Sequence, residues 1–287
     1  MAFASRSTQV IEAAGKSMTL KSYASGHGRM WIQAPALSVV DPTVVSQDAY
    51  PGAGFQRDES VIQTWPGWQV YQPKAKDVVI ATADGNTTTD GVLDVSGKGN
   101  MASVLSLLLP ERNPGEATDT TALGMARIRG YQRGITTSLT MDVYKLFKRS
   151  GVCAGRWTKV NGTPRAIFQS GVTTSLTSGE EGIGRRRLAN YIQDSIAQAL
   201  DPLAKQPISP SLREKALMLQ FNFLNLLLSP NDPSLSRIKA FEVTVGDDPT
   251  MEEQDILVTG HKVRKYGDAN AIVLTSEIGE SVVVTAA

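Results

Sequence analysis

The sequence predicts an α+β fold in which a mixed sheet packs against helices. Residues 26–95 are rich in Gly, Pro, Asp and Thr, and their closely spaced turn dipeptides are typical of short strands and loops. Residues 100–228 contain apolar runs with a period near 3.6, and after residue 228 the period changes to 2. Strands followed by helices and then by strands are the order expected of an α+β protein.

Two short helices are predicted in the middle of the chain. Asn100 is expected to cap a helix Met101–Leu109, which ends before a proline. Ser138 is expected to cap a second helix, and Gly151 is expected to end it. Three residues of this second helix repeat at helical spacing: Met141, Tyr144 and Phe147.

Two longer helices are predicted next. The first carries an apolar residue at every fourth position, and Asp201-Pro202 is expected to stop it. Its repeating residues are Leu188, Ile192, Ile196 and Leu200. The second begins with the capping-box pattern Ser211-Leu-Arg-Glu214 and is expected to end near Leu228.

Strands are predicted for the rest of the chain. Phe241, Val243 and Val245 alternate with polar residues, and further candidates are 256–259, 261–265 and 271–276. The chain then ends in a run of β-branched residues, Ser281-Val-Val-Val-Thr285, which favours a strand. This tail is expected to be either the last strand of the chain's own sheet or a strand donated to a neighbouring subunit, because an unpartnered edge attracts another chain.

Composition limits the possible functions. The chain has 287 residues and a net charge of +1, so it carries no electrostatic footprint for nucleic acid or for an anionic membrane. One cysteine and two histidines allow neither an internal disulfide nor the usual zinc cluster, and no cofactor is predicted. The start of the chain lacks the features of a secretory signal, and the apolar stretch Phe221–Leu228 is too short to span a bilayer. We therefore expect a protein that is made and kept in a cytoplasm, or that is released by lysis.

The single cysteine allows a catalytic alternative. Cys153 lies in Gly151-Val-Cys-Ala-Gly155, which imitates a nucleophile elbow with Cys in place of Ser. A cysteine hydrolase would also require His27 or His261 within reach of the thiol. The favoured interpretation is a buried, inert thiol, and the nearby Trp65 and Trp68 are expected to form a small core.

Four segments, taken in order, resemble a known family. They are Ser103–Gly115, Phe168–Thr174, Arg185–Ile192 and Asp268–Glu280, and the first contains the turn Pro110-Glu-Arg-Asn-Pro-Gly115. Their order and spacing resemble the C-terminal half of contractile tail sheath proteins of myophages and related injection machines. The resemblance covers about residues 100–287, whereas residues 1–95 show no comparable match.

The resemblance implies a structural subunit of a virion tail rather than an enzyme. Sheath subunits stack as hexameric rings in a helical lattice around an inner tail tube, and they also meet a baseplate and a tail terminator. The expected parts are an N-terminal arm 1–25, a small β-rich outer lobe 26–98, a sheath assembly domain 99–278 and a C-terminal arm strand 279–287. At this length the chain would be a minimal sheath, because typical members are longer.

Two sets of residues are predicted to make contacts between subunits. In the family, both arms add strands to a sheet of neighbouring subunits, which here implies strand exchange by Val10, Ile11, Ser281, Val282, Val283, Val284 and Thr285. The triplet Arg185, Arg186 and Arg187 precedes a helix and is either a solvated helix start, partly compensated by Glu180 and Glu181, or a contact with the tube or a neighbouring subunit. The rival functions are a non-contractile neck, baseplate or capsid protein and, at Cys153, a hydrolase.

Overall fold

The computed structural model describes residues 2–4, 29–45, 57–115, 128–160, 163–246 and 255–267. The strands are β1 Ala2–Ala4, β2 Met30–Gln33, β3 Val61–Trp65, β4 Trp68–Ala81, β5 Thr87–Val95, β6 Ile128–Tyr131, β7 Val152–Val160, β8 Thr163–Phe168, β9 Ala240–Val245 and β10 Thr259–Arg264. The helices are α1 Pro42–Val45, α2 Gly97–Leu107, α3 Met141–Arg149, α4 Ile183–Leu200 and α5 Pro210–Leu228, with short 3₁₀ turns at Asp201–Leu203 and Pro233–Leu235. The α+β class is confirmed, and the chain divides into two compact units, Met1–Gln220 and Phe221–Ala287.

The larger sheet of the first unit is mixed, with the strand order β1-β2-β3-β7-β8. The first four strands are parallel to their neighbours, and β8 runs antiparallel to β7. Every residue of β2 and β3 is buried. Such strands lose the alternation of apolar and polar residues because both faces are covered.

This sheet crosses the boundary that the sequence predicted at residue 98. Strand β3 comes from the predicted lobe and β7 from the predicted assembly domain, and they pair directly, with Thr64 opposite Cys153. The predicted boundary therefore lies inside the first compact unit. A second sheet of this unit, β5-β4-β6, is antiparallel.

Two helices begin earlier than the sequence patterns predicted. Helix α2 starts after Ser96, whose side chain accepts a hydrogen bond from the Lys98 N–H, so the predicted cap at Asn100 is wrong. The two glycines in its first turn obscured this start, because glycine is a poor helix former. Helix α5 starts at Pro210, and the side chain of Ser209 accepts from the Leu212 N–H, so the capping box at Ser211 is also wrong.

The second predicted helix forms, but its predicted cap is wrong. Helix α3 begins at Met141 with Thr140 at the N-cap position, not Ser138. It buries Tyr144 and Phe147 as predicted, whereas Met141 is exposed.

The ends of these two helices, α3 and α4, agree with the sequence. Gly151 follows α3 with a φ of 73°, which suits the left-handed turn after a helix. Helix α4 begins at Ile183, so the arginine triplet lies inside its first turns rather than before it, and it ends at Leu200, directly before Asp201. Of the four residues in its predicted apolar stripe, three are buried: Leu188, Ile192 and Ile196.

Both predicted core tryptophans are buried, but they belong to separate clusters. Trp68 stacks on Tyr131 with 5.7 Å between ring centroids, and it packs in a cluster between the sheets and α2. Trp65 packs 5.3 Å from Phe147 in a cluster beside α3. The turn between β3 and β4 therefore points its two tryptophans into different parts of the core.

The second unit contains an antiparallel pair, β9 and β10. Phe241 faces Val263 in the register of the two strands, and the Phe241 ring lies 5.3 Å from the ring of Phe221, in the C-terminal half of α5. The predicted strand at 261–265 is confirmed as β10, which starts two residues earlier, whereas 256–258 precede it without being part of a strand. The predicted strand 271–276 lies outside the described residues.

Candidate assembly surfaces

The β9–β10 pair is a sheet with two outer edges. Among the described residues, each of these strands pairs only with the other. The Gly246 N–H donates to the Val258 carbonyl at 2.7 Å, which places Gly246 and Val258 in a hydrogen-bonded pair. Because such pairs alternate along an antiparallel ladder, the backbone groups of Val243 and Val245 point away from β10, and those of His261 point away from β9. Both edges therefore present a strand with backbone donors and acceptors.

The two faces of this pair differ in chemistry. Phe241, Val243 and Val245 are half-buried, whereas the residues between them are exposed. On the exposed face, Lys262 pairs with Glu242 at 3.2 Å. On the half-buried face, partial burial lowers the pKa of His261. An isolated two-stranded sheet is only marginally stable, so this face and its edges suit the addition of further strands.

The residues predicted to exchange strands lie outside the described part of the chain. This applies to Val10, Ile11 and Ser281–Thr285. Of the predicted N-terminal arm, the structure describes only Ala2–Ala4, which pairs in parallel with β2 of the same chain. The first described residues of the chain therefore form an edge strand of the larger sheet.

The arginine triplet makes contacts within the chain. Arg185 lies 3.0 Å from a carboxylate oxygen of Glu59, and Arg186 pairs with the other oxygen of the same carboxylate. Glu59 thus compensates for the cations at the start of α4, where the helix dipole disfavours positive charge. Glu180, one of the two acids predicted to compensate the triplet, accepts from the Ser175 hydroxyl at 3.3 Å, and compensation by Glu180 and Glu181 stays a prediction.

Arg187 has a different role from its two neighbours. Its guanidinium donates to the backbone carbonyls of Leu105 at 2.6 Å, Leu108 at 2.9 Å and Leu109 at 3.3 Å. The carbonyls of Leu105 and Leu108 lie at the C-terminal end of α2, where a helix leaves carbonyls without intrahelical partners, so Arg187 caps α2. The Leu109 carbonyl lies in the following turn and also accepts from the Arg112 N–H. Burial lowers the pKa of Arg187, and the nearby carboxylate of Glu111 opposes that effect.

Sequence patterns did not reveal these partners. Glu59 lies 126 residues from Arg185, and the Leu105 carbonyl lies 82 residues from Arg187, so no local spacing signals either contact. Contact of the triplet with a tube or a neighbouring subunit stays a prediction. Arg185 is the member best placed for it, because its side chain is 41% exposed, compared with 17% for Arg186.

The structure confirms that Cys153 is a buried thiol. It lies on β7 and its S–H donates to the Ser170 carbonyl. Burial raises the pKa of the Cys153 thiol, so the protein holds it in the un-ionised form that cannot act as a nucleophile. His27, one of the two histidines that the hydrolase hypothesis needed, lies outside the described residues.

Among the described residues, no helix is both long enough and apolar enough to cross a bilayer. Within the same residues, no group of three or more His, Cys, Asp or Glu side chains is placed to hold a metal ion.

Comparison with solved structures identifies the fold. A chain of the anti-feeding prophage baseplate matches with a TM-score of 0.69 at 12% identity, covering 97% of this chain and 68% of that one. The anti-feeding prophage sheath in its contracted state matches with a TM-score of 0.68 at 14% identity, covering 96% and 69%. The fold is that of contractile sheath proteins. The sheath tail protein Lin1278 from Listeria innocua also matches, with a TM-score of 0.52 at 12% identity, covering 92% of this chain and 56% of that one. No family model and no curated protein sequence matches the chain.

The extent of these matches changes one prediction. The resemblance was placed on residues 100–287, but the structural similarity covers nearly the whole chain and therefore includes the N-terminal third. At 12–14% identity, backbone geometry persists where sequence motifs do not. This chain matches about two thirds of the length of each of these injection-system chains, 68% and 69%.

Proposed function

We propose that this protein is a structural subunit of a contractile tail sheath. It polymerises as stacked hexameric rings around an inner tail tube, and it contracts to drive that tube into a host cell. The observation that carries the proposal is the similarity of 96% of the chain to a sheath solved in its contracted state, with a TM-score of 0.68. Another matched structure is a six-fold symmetrised baseplate, which supports the same ring symmetry for this chain.

In this proposal the arms link the lattice by strand exchange. The N-terminal arm around Val10 and Ile11 and the C-terminal run Ser281–Thr285 leave the subunit and add strands to a neighbour's sheet. The β9–β10 pair supports this role, because both of its edges present backbone hydrogen-bonding groups. The domain plan of arms 1–25 and 279–287, outer lobe 26–98 and assembly domain 99–278 belongs to this proposal, although β3 and β7 join the lobe and the assembly domain in one sheet.

Contraction would then require the same interfaces between subunits to pack in two different arrangements, one before and one after contraction. The strand links would persist while weaker polar contacts, such as those of Arg185, exchange partners. The other partners in the proposal are the inner tube protein, the baseplate and the tail terminator, with no direct contact to nucleic acid or membrane and no cofactor. The proposed location is the tail of the virion, after synthesis in the host cytoplasm.

A second candidate is a closed ring at a baseplate. It is favoured by the match to the anti-feeding prophage baseplate, whose TM-score of 0.69 equals that of the sheath within 0.01. Such a ring would form by lateral contacts alone, without stacking into a tube. Electron micrographs distinguish the two candidates, because a sheath gives long hollow tubes and a baseplate protein gives single rings.

The decisive experiment compares the full chain with a variant that lacks residues 280–287. We expect long tubes from the full chain in negative-stain micrographs, and a folded subunit without tubes from the variant. Circular dichroism and a thermal melt would establish that the variant is folded. Loss of folding in the variant would place the tail in the subunit's own sheet, and small particles from both chains would contradict the sheath proposal.

A further inference from the structure

The charges of the second compact unit are separated into blocks along the chain. Residues 247–255, which connect β9 to β10, carry carboxylates and no lysine or arginine: Asp247, Asp248, Glu252, Glu253 and Asp255. The stretches 237–239 and 262–265 carry cations and no carboxylate: Arg237, Lys239, Lys262, Arg264 and Lys265. The local sequence therefore supplies few counter-charges to either block.

The two cationic stretches meet at one end of the β9–β10 pair. Ala240 pairs with Arg264 in the register of the strands, and the Lys239 N–H donates to the Arg264 carbonyl at 2.7 Å. Lys239 and Arg264 are exposed, and neither forms an ion pair with a described residue. Glu242, the one carboxylate on the two strands, is already paired with Lys262 at 3.2 Å. We call this end of the pair, with Lys239, Lys262 and Arg264, the basic end.

The acidic segment 247–255 is attached at the opposite end of the pair. Of this segment, residues 247–254 lie outside the described residues. The Gly246 N–H donates to the Val258 carbonyl, so the chain leaves β9 and returns to β10 at the end where Val245 faces Thr259. Strand β9 has six residues, which places the basic end about 20 Å away at ~3.4 Å per residue. The pair therefore has a basic end and an acidic connection at its other end.

The basic end also offers a binding surface of mixed chemistry. An open cleft of about 280 Å³ lies there, lined by apolar Ala240, Phe241 and Val263 and by charged Glu242, Lys262 and Arg264. Such a cleft suits a partner that presents carboxylates together with an apolar side chain. The acidic segment has this composition, because Met251 directly precedes Glu252 and Glu253.

We propose that the acidic segment of one copy binds the basic end of the β9–β10 pair in a second copy. Its glutamates pair with Lys239 and Arg264, and Met251 enters the cleft. The basic end of the same copy is a poor target, because nine residues tied at both ends reach out about 16 Å at ~3.6 Å per residue before they must return. That reach is shorter than the 20 Å along the pair, so a second copy is the occupant.

The contact has a consequence for assembly. It joins two different surfaces, and such heterologous contacts repeat from copy to copy into rings or open helices. The inference rests on the proposed polymeric function and specifies one of its contacts between subunits. It is separate from the strand exchange, because the arms add at the edges of the pair and this contact uses its two ends. Since exposed ion pairs are individually weak and screened by salt, several charges must act together.

Charge reversal tests the contact by complementation. One variant carries Glu252→Lys and Glu253→Lys, and the other carries Lys239→Glu and Arg264→Glu. Each variant alone places like charges opposite each other, so its tube yield in negative-stain micrographs should fall at least tenfold. An equimolar mixture should restore the tubes, because each reversed segment then meets a reversed basic end on the other variant. The matched control, Lys74→Glu with Lys76→Glu on the exposed part of β4, makes the same change in net charge and should assemble normally.

The outcomes separate this contact from the proposed function. Normal tubes from either variant alone overturn the contact and leave the sheath proposal standing. Folded variants whose mixture forms no tubes also overturn it, since circular dichroism then excludes misfolding as the cause. Failure of the unmodified chain to form tubes or rings overturns both proposals.

A second measurement needs no variant. Tubes grown from an equal mixture of isotope-labelled and unlabelled chains are treated with a carbodiimide, which joins carboxylates directly to lysines. We expect peptides that link Glu252 or Glu253 to Lys239, with the two isotopes combined in about half of them. Absence of these peptides, or linked peptides of a single isotope only, would contradict a contact between two copies.

Discussion

The two compact units differ in how their strands are buried and paired. The comparison is between β2 and β3 in the first unit and β9 and β10 in the second. Every residue of β2 and β3 is buried, and each of these strands pairs with neighbours on both sides. In β9, exposed and half-buried residues alternate, and the described residues supply one neighbour. Strands β2 and β3 thus have neighbours of their own chain on both sides, whereas β9 and β10, within the described residues, each have one unpaired edge and share a half-covered apolar face.

Because of this difference, substitutions in the first pair of strands and in the second should affect different properties, namely the stability of the subunit and its assembly. Substitutions around β2 and β3 should lower the free energy of unfolding of the subunit, because they remove buried contacts. Substitutions at the outer edges of β9 and β10 should leave the subunit folded and remove its ability to add strands, because the affected backbone groups have no partner within the described residues.

The largest expected effect is loss of assembly from proline at the free edges. The N–H groups of Val243 and His261 point outward from the pair, so Val243→Pro and His261→Pro remove one outward donor each while keeping the bonds between β9 and β10. If one arm adds at each edge, both variants should reduce tube yield at least tenfold in negative-stain micrographs. Their circular dichroism should match that of the unmodified chain.

The control for the edge prolines is Glu242→Pro. The N–H of Glu242 points toward β10, so this variant should disrupt the pair itself and change the circular dichroism as well as the assembly. Tubes at normal yield from both Val243→Pro and His261→Pro would show that neither edge accepts a strand. The strand-exchange part of the proposed function would then be wrong.

The next effect is a loss of subunit stability when a buried side chain is removed from the core of the first unit. Trp68 is fully buried and stacks on Tyr131, so Trp68→Ala should lower the free energy of unfolding by about 3–5 kcal/mol in denaturant titrations. Val243→Ala, on the half-buried face of β9, should cost less than about 1 kcal/mol in the free subunit. Similar costs at the two positions would contradict the distinction between the two regions.

The local patterns of the sequence were sufficient for part of this structure. Alternation at Phe241, Val243 and Val245 predicted β9, and the four-residue repeat at Leu188, Ile192 and Ile196 predicted the core face of α4. Such patterns work because each residue's burial depends on its position in one helix or strand. They predicted the α+β class for the same reason.

Features that depend on distant pairing were not predictable from those patterns. The ion pairs of Arg185 and Arg186 with Glu59 and the pairing of β3 with β7 join residues about 90–130 positions apart, as the registers and contacts show. Local spacing carries no information on these contacts, so they could be found only from the fold.

An intermediate effect is expected at Arg187. Its guanidinium donates to two carbonyls at the end of α2 and to one in the turn that follows. Arg187→Met should lower the free energy of unfolding by about 2 kcal/mol, because partly buried carbonyls lose a charged donor. Arg185→Met should cost at most about 0.5 kcal/mol, because that ion pair is substantially exposed. Denaturant titrations at low and high salt measure both effects. If Arg185→Met cost as much as Arg187→Met, the assignment of Arg187 as the structural member of the triplet would fail.

The smallest effect near neutral pH comes from Cys153, whose thiol is buried in the core of the first unit. Burial raises its pKa in the folded protein, whereas the unfolded chain ionises near pH 8.5. The folded state therefore binds one more proton than the unfolded state above that pH. The stabilisation is fully present below about pH 8.5 and is lost as the pH rises, by about 1.4 kcal/mol per unit. The loss continues until the pH reaches the raised pKa of the folded state.

The measurement is the free energy of unfolding of the unmodified chain and of Cys153→Ala from pH 7 to 9.5. The difference between the two chains should be constant up to about pH 8 and should change by about 1.4 kcal/mol at pH 9.5, with the unmodified chain losing more. Reaction of the native thiol with a maleimide at pH 7 should be at least a hundredfold slower than in denaturant. A fast-reacting native thiol together with a pH-independent difference would mean that Cys153 is accessible and ionisable. That result would contradict its burial in the core of the first unit and would restore the hydrolase hypothesis.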